Sequence, residues 1–245
     1  MKAMIFSAGL GTRLKPFTDE HPKALAQVNG KSLLQRNIEY LQSFDITDII
    51  VNAHHFADQV ISVLKINNGF GSRITISDES TRLLETGGGL KKAAWFFDDD
   101  QPFVAMNADI LTDMDIRAMT DFHIAQHPLV TLAVTSRITS RYFLFDEIDN
   151  LCGWKNEYTG ELKMSRDVEK YTPKAFSGIH VLSPGIFSEI DKLEAVLHDK
   201  EKFSLVEVYL QLAKTHTITA FDHSKSKFID VGKPESIAEA ERLFT

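Results

Sequence analysis

In the first half of the chain, short apolar runs alternate with longer stretches whose apolar residues recur at helical spacing. Residues 3–6, 49–51, 103–106 and 129–134 are brief apolar runs, and Ile74 with Ile76 marks another; each predicts a buried strand. Leu33, Leu34, Ile38, Leu41 and Phe44 predict a helix over 32–44. Val60, Ile61 and Leu64 share one face of a helix over 56–66, and 87–97 predicts a helix entered through glycines. Such alternation is the signature of a parallel sheet covered on both faces. After about residue 136 the pattern changes. Strands are expected over 142–145, 161–164 and 176–182, with the turn sequence Asn156-Glu157-Tyr158-Thr159-Gly160 between the first two. Helices are expected over 203–213 and 234–243, the second opening at Pro234, with short strands over 218–221 and 228–231 between them. The expected organisation is one domain over 1–245. An α/β part over 1–136 is followed by a mixed α+β part over 137–245 that returns to the same sheet.

Composition narrows this picture. With 245 residues, 43% hydrophobic and 25% charged, the chain can bury a sizeable core, which excludes a wholly disordered or collagen-like reading. The single cysteine, Cys152, can form neither an internal disulfide nor a cysteine-based zinc site, which points to a reducing compartment. No apolar stretch approaches the roughly 20 residues of a membrane span, and the N-terminal run is too short for a signal peptide. A cytoplasmic protein is expected, with no membrane partner. Lys plus Arg number 27 against 34 Asp plus Glu, a net charge of -7, which argues against a nucleic-acid partner. The run Asp98-Asp99-Asp100 reads as a solvated loop. His123 and His127 have the spacing of a helical zinc pair but lack the glutamate that would follow the first histidine, and a surface helix face is expected. His54 and His55 cannot both face one way.

The most informative segment follows the first strand, where open α/β sheets bind ligands: Ser7-Ala8-Gly9-Leu10-Gly11-Thr12-Arg13-Leu14-Lys15-Pro16. Small residues let backbone N–H groups approach a polyphosphate, and Arg13 and Lys15 add charge. The dinucleotide fingerprint fails because Leu14 stands where its third glycine belongs, which weakens a nicotinamide-dependent oxidoreductase. The P-loop fails because Leu25 stands where a glycine should precede Gly30-Lys31-Ser32. What remains is a Gly-x-Gly-Thr-Arg loop followed by Pro22-Lys23.

Ala8-Gly9-Leu10-Gly11-Thr12-Arg13-Leu14-x-Pro16-x-Thr18 with Pro22-Lys23-Ala24-Leu25 resembles the signature of the sugar-1-phosphate nucleotidyltransferases. Glu85-Thr86-Gly87-Gly88-Gly89, Asn107-Ala108-Asp109, Phe176-Ser177-Gly178-Ile179 and Phe228-Ile229-Asp230-Val231-Gly232 resemble later segments of the same family. The nearest subgroups by this pattern are bacterial N-acetylmuramate-1-phosphate uridylyltransferases, with mannose-1-phosphate guanylyltransferases close behind. The resemblance implies a Rossmann-like, mixed and mostly parallel sheet sandwiched by helices, with a small sugar-binding α+β part. It implies that an NTP and a sugar 1-phosphate give an NDP-sugar and pyrophosphate, with Mg²⁺ as cofactor. The preferred pair is UTP with N-acetylmuramate 1-phosphate, a role in cell-wall recycling; GTP with mannose 1-phosphate is the alternative. From another class, a non-catalytic nucleotide-sugar sensor stays open. A monomer or small homo-oligomer is expected, without the hexapeptide-repeat acyltransferase domain of bifunctional relatives.

By the same resemblance, Arg13 neutralises the pyrophosphate side, and Lys23 bridges the α-phosphate and the incoming sugar phosphate. Ala8, Gly9, Gly11 and Thr12 line the nucleotide, Gly87 and Gly88 pack under base and ribose, and Glu79 is placed to read uracil or guanine. Asp109 and Asp230, each after a short apolar run, would hold Mg²⁺ together with phosphate oxygens and water. Glu169-Lys170 and Gly178 are expected on the sugar side, although Tyr171 replaces the family's proline. Asn107 is placed to bind a hydroxyl or to cap the next turn. For the lactyl carboxylate of N-acetylmuramate, Lys155, Lys163 and Arg166 lie in the right part of the chain.

Overall fold

A computed structural model describes residues 1–193, 197 and 199–244. Its first half runs β1 (Lys2–Phe6), β2 (Gln27–Val28), β3 (Lys31–Ser32), α1 (Leu33–Gln42), β4 (Asp48–Ala53), α2 (Ala57–Ile66), β5 (Arg73–Asp78) and α3 (Glu85–Lys92). Then come β6 (Phe103–Asn107), β7 (Ile110–Thr112), α4 (Ile116–Gln126) and β8 (Val130–Thr135). The remainder is β9 (Arg141–Phe145), β10 (Leu151–Asn156), β11 (Glu161–Met164), β12 (Thr172–Leu182), α5 (Ile186–Leu193), α6 (Leu205–Leu212), β13 (Ile218–Asp222), β14 (Phe228–Asp230) and α7 (Pro234–Leu243).

Ten of these strands form one mixed sheet. Along its main path the order is β11-β10-β9-β12-β6-β1-β4-β5, and β8 branches from β12 to meet β13. The β6-β1-β4-β5 portion is parallel; β12 runs antiparallel to β6, β8 and β9. Period-two alternation sends successive residues of β1 to opposite faces. Met4 and Phe6 join a core with Leu90 and Tyr209, beneath α3, α5 and α6. Ala3 and Ile5 join another with Leu34, Val60 and Met119, beneath α1, α2 and α4. A third, smaller core ties Leu14 of the first loop to Ile229, Val231 and Ala240 near α7. Among the described residues no helix is long and apolar enough to cross a membrane.

Caps follow local chemistry. Ser32 accepts from the Gln35 N–H, Asp115 from Ala118 and Ser204 from Glu207, each meeting a donor that its helix leaves unpaired. Two expectations need correction. Residues 87–97 are not a helix entered through glycines: Gly87–Gly89 lie inside α3, which ends at Lys92, and a short 3-10 turn over Ala94–Phe96 follows. The strand expected over 176–182 begins at Thr172, because its first residues pair with β9 instead of ending in a loop.

Candidate active site

The loop after β1 is shaped by two contacts. Gly11 has φ +61°, and a Cβ there would stand 2.9 Å from both the Lys23 Cβ and the Thr18 Cγ2, so the position favours glycine on both counts. Thr18 Oγ1 donates to the Gly11 carbonyl at 2.9 Å, folding the loop back on itself. Beside it lies a cleft of about 200 Å³, lined by Ser7, Gly9, Lys23, Thr86, Asn107 and Asp109, among others. Ala8 is buried behind the loop, whereas Gly9, Thr12 and Arg13 are exposed at its rim.

Four charged side chains meet at this cleft. Lys23 donates to Asp109 Oδ2 and stands 3.9 Å from Asp230 Oδ1. Arg13 lies 3.8 Å from Asp230 Oδ2. The two aspartates are 121 residues apart and are brought together by strand pairing: Asp230 of β14 pairs with Ile110 of β7, and Val231 N–H donates to the Asp109 carbonyl at 2.8 Å. Gly232 lets Arg13 in, since a Cβ there would stand 2.7 Å from Asp230 Oδ1 and 2.8 Å from an Arg13 nitrogen. Burial, and then the charge of Asp109, push the Asp230 carboxyl above the usual carboxylate range. Asp230 Oδ1 is buried with no hydrogen-bond partner, which leaves a hard oxygen donor unused. Among the described residues there is no cluster of three or more His, Cys, Asp or Glu able to cage a metal. Two carboxylates are hard oxygen donors of the kind that suit Mg²⁺.

On the other wall, Gly178 has φ +72° at a bulge in β12, between the Phe176 and His180 register positions. A Cβ there would lie 2.7 Å from Asn107 Nδ2, so Asn107 presses against bare backbone. Behind the bulge, His180 Nδ1 and Tyr209 OH are 2.8 Å apart, and His223 Nε2 lies 2.7 Å from Ser177 Oγ. Burial pulls the two imidazoles down to about 3 and about 4 respectively, so both are neutral near pH 7.

Several sequence expectations do not survive this geometry. Glu79 is fully buried and cannot touch a base: it accepts from Asn52 Nδ2 at 2.7 Å and from the Leu84 N–H at 3.3 Å. Asn52 Oδ1 in turn accepts from the Ser7 N–H at 2.7 Å, so Glu79 braces the start of the loop from below. Burial raises its carboxyl above the ordinary value. Gly87 and Gly88 lie against the 199–203 segment. Both N–H groups donate to the Phe203 carbonyl, at 2.9 and 3.2 Å. A Cβ on Gly87 would strike the Phe203 ring at 2.4 Å, and one on Gly88 the Glu201 carbonyl at 1.9 Å. These glycines admit the 199–203 segment against α3, while the neighbouring Thr86 lines the cleft.

Glu169 and Lys170 lie elsewhere. They share a surface hollow with Glu147, Tyr171 and Thr172, and Lys170 stands 3.7 Å from Glu147. Thr172 to Gly178 is one continuous stretch of β12; six residues at about 3.3 Å each separate the pair from the bulge by about 20 Å. Their spacing to Gly178 is too short for a turn that would bring them back. Lys155, Lys163 and Arg166 stay on the β10–β11 side, facing Glu157, Glu161 and Asp146. His123 is buried with its ring nitrogens 2.9 Å from Thr131 Oγ1 and 3.0 Å from Ser183 Oγ, while His127 is the exposed C-cap of α4. Sequence reading missed Asn52, Thr86 and Arg137. Arg137 precedes β9 without any motif to mark it, yet its guanidinium sits 4.7 Å from the centre of the Phe228 ring.

Residues 2–245 match the nucleotidyl transferase family. The chain is 30% identical to the N-acetylmuramate alpha-1-phosphate uridylyltransferase of Caulobacter vibrioides, over 98% of this chain and 95% of that protein. It is also 30% identical to the mannose-1-phosphate guanyltransferase of Yarrowia lipolytica, over 100% of this chain; it spans 64% of that protein's length. In fold it is similar to HddC from Yersinia pseudotuberculosis, in a crystal structure complexed with GMP-PN. The TM-score is 0.76 at 24% identity, covering 100% of this chain and 99% of that one.

Proposed function

The chain belongs to the nucleotidyl transferase family and is a sugar-1-phosphate nucleotidyltransferase, and from that premise we propose that it joins UTP to N-acetylmuramate 1-phosphate. The observation that carries the reading of the site is the meeting of Arg13, Lys23, Asp109 and Asp230 at one cleft beside the first loop. The uridylyl pair is preferred because the pattern of the first loop and of the later glycine and aspartate segments is nearest to that subgroup. GTP with mannose 1-phosphate is the second reading, favoured by the equal 30% identity to the Yarrowia enzyme. We assign the nucleotide to residues 1–136 and the sugar to 137–245 together with Asn107 at the junction.

In this reading a phosphate oxygen of the sugar 1-phosphate attacks the α-phosphorus. The bond to the β-phosphate breaks, and pyrophosphate leaves. The attacking oxygen is already anionic at neutral pH, so no general base is required. The barrier is repulsion between anions, and positioning plus electrostatics lower it. Lys23, at the bottom of the cleft, meets the α-phosphate and the incoming phosphate; Arg13, at the rim, meets the leaving pyrophosphate. Backbone N–H groups around Gly9 and Gly11 cradle the polyphosphate. Asn107, against Gly178, holds a sugar hydroxyl. The family is generally divalent-metal dependent, and Asp109 with Asp230 would hold Mg²⁺, which would supply positive charge to offset that of the phosphates. Pyrophosphate release tests the reading, with UTP, GTP, CTP, ATP and dTTP crossed against N-acetylmuramate, mannose and glucose 1-phosphates. Release from UTP with the muramate donor is expected. Release confined to GTP with mannose 1-phosphate would replace it with the second reading, and nucleotide binding without release from any pair would favour a sensor.

A further inference from the structure

Arg137 lies on the connection between β8 and β9, near enough to Asp230 of the charged cluster for the two charges to interact. Its guanidinium stacks 4.7 Å from the Phe228 ring centre and donates one N–H to the Phe176 carbonyl at 2.6 Å. Phe228 shares a strand face with Asp230, two residues on, and Phe176 is two residues before the Gly178 bulge. The side chain is therefore held between β12 and β14, the strands that carry Gly178 and Asp230. It is half-buried, and among the described residues no carboxylate forms an ion pair with it at contact distance, although the charge of Asp230 reaches it. Arg166, comparably buried, has Asp146 at 3.3 Å. A partly desolvated guanidinium with no carboxylate in direct contact is costly, and an anion that arrives with the ligand relieves it. Beside it, His223 Nδ1 is buried and also lacks a partner. The aromatic face fixes the plane of the guanidinium, leaving the other edge of its fork for a planar, two-oxygen acceptor.

We propose that Arg137 determines donor specificity by receiving a carboxylate carried on the sugar of the sugar 1-phosphate. This rests on the cleft being a sugar-1-phosphate nucleotidyltransferase site. It supplies the cation that Lys155, Lys163 and Arg166 do not bring to the cleft. The contact acts on sugar binding, so its loss raises KM for acidic donors more than it lowers kcat.

The test measures kcat/KM with saturating UTP and Mg²⁺ on two donor pairs that differ in a carboxylate. These are N-acetylmuramate against N-acetylglucosamine 1-phosphate, and glucuronate against glucose 1-phosphate. Wild type, Arg137→Gln and Arg137→Lys are compared, with thermal unfolding to confirm folding. The acidic-to-neutral ratio is expected to fall by about 10- to 100-fold in Arg137→Gln, the scale of one charge-assisted hydrogen-bonded contact. It should fall less in Arg137→Lys, which keeps the charge and loses the fork. A wild type that prefers muramate, with the same ratio in both variants, overturns the Arg137 assignment and leaves the uridylyl reading standing. A wild type that ignores muramate but favours glucuronate through Arg137 overturns that reading and leaves the assignment. No acidic preference in wild type overturns both.

Discussion

The Lys23–Asp109–Asp230–Arg13 cluster and the Glu147–Glu169–Lys170 cluster use the same kinds of side chain, and the fold treats them differently. Lys23 and Asp109 are 13% and 22% exposed, whereas Lys170 and Glu147 are 77% and 76% exposed. The first cluster sits where β1, β6 and β14 end and β7 begins, so its charges come from distant parts of the chain and share a partly desolvated cleft. The second lies at the far end of β12, where solvent screens every pair. An exposed pair of that kind is worth about 0–1 kcal/mol and holds no fixed geometry. A charged motif thus becomes a candidate site where several strand ends converge on it, and not where one strand presents it to water.

The largest expected effect breaks the first cluster. Asp109→Asn removes the carboxylate that Lys23 contacts, and turnover should fall by about 100- to 1000-fold while sugar binding weakens much less. Pyrophosphate release and donor titration measure the two separately; near-normal turnover with Mg²⁺ would refute the metal assignment. Gly232→Ala sharpens the comparison, because its Cβ would press on Asp230 Oδ1 and Arg13, the ends of movable side chains. Turnover should fall by about tenfold while the melting temperature moves by less than about 2 °C, since a small shift in charged groups matters more to rate than to stability.

A further contrast concerns what lies beneath the sheet. Burial holds His123, His180 and His223 down at about 4, about 3 and about 4. These values are below the ordinary ~6.5 of an unfolded histidine, so the unfolded chain takes up protons first. The stability they contribute is complete above that pH and is lost as pH falls toward 4 and then 3, at about 1.4 kcal/mol per pH unit for each. Urea unfolding at pH 7.5, 6 and 5 should show this decline, and His223→Gln should make it shallower. An unchanged slope in that variant would contradict a neutral, buried His223. The smallest effect belongs to the exposed cluster: Lys170→Ala should change kcat/KM by less than about threefold. A large loss there would mean that β12 rearranges when substrate binds.

The first loop was legible because its requirements are local. Gly11 must adopt a left-handed backbone beside Thr18 and Lys23, and few sequences meet that demand by chance. Asp109 and Asp230 could be read as strand-end carboxylates, but not the β7–β14 pairing that joins them. Glu79 read as the residue placed to meet the base; its burial depends on Asn52, on another strand, and on Gly89, whose missing Cβ leaves the 2.8 Å approach open. Gly87 and Gly88 read as a nucleotide cradle, and only the 199–203 segment, more than a hundred residues away, reveals what their bare faces admit. Glu169-Lys170 kept a motif's letters but not its spacing, and spacing along a strand is distance.

Taken by itself, the sequence determined the alternation of strands and helices, the phosphate-facing loop and the chemistry of its charged residues, because periodicity, backbone permissiveness and side-chain charge belong to neighbouring residues. Tertiary structure alone decided which charges meet, which carboxylate is buried and which arginine has no carboxylate in direct contact. Those outcomes depend on strand order and register, which bring together residues that share no local pattern.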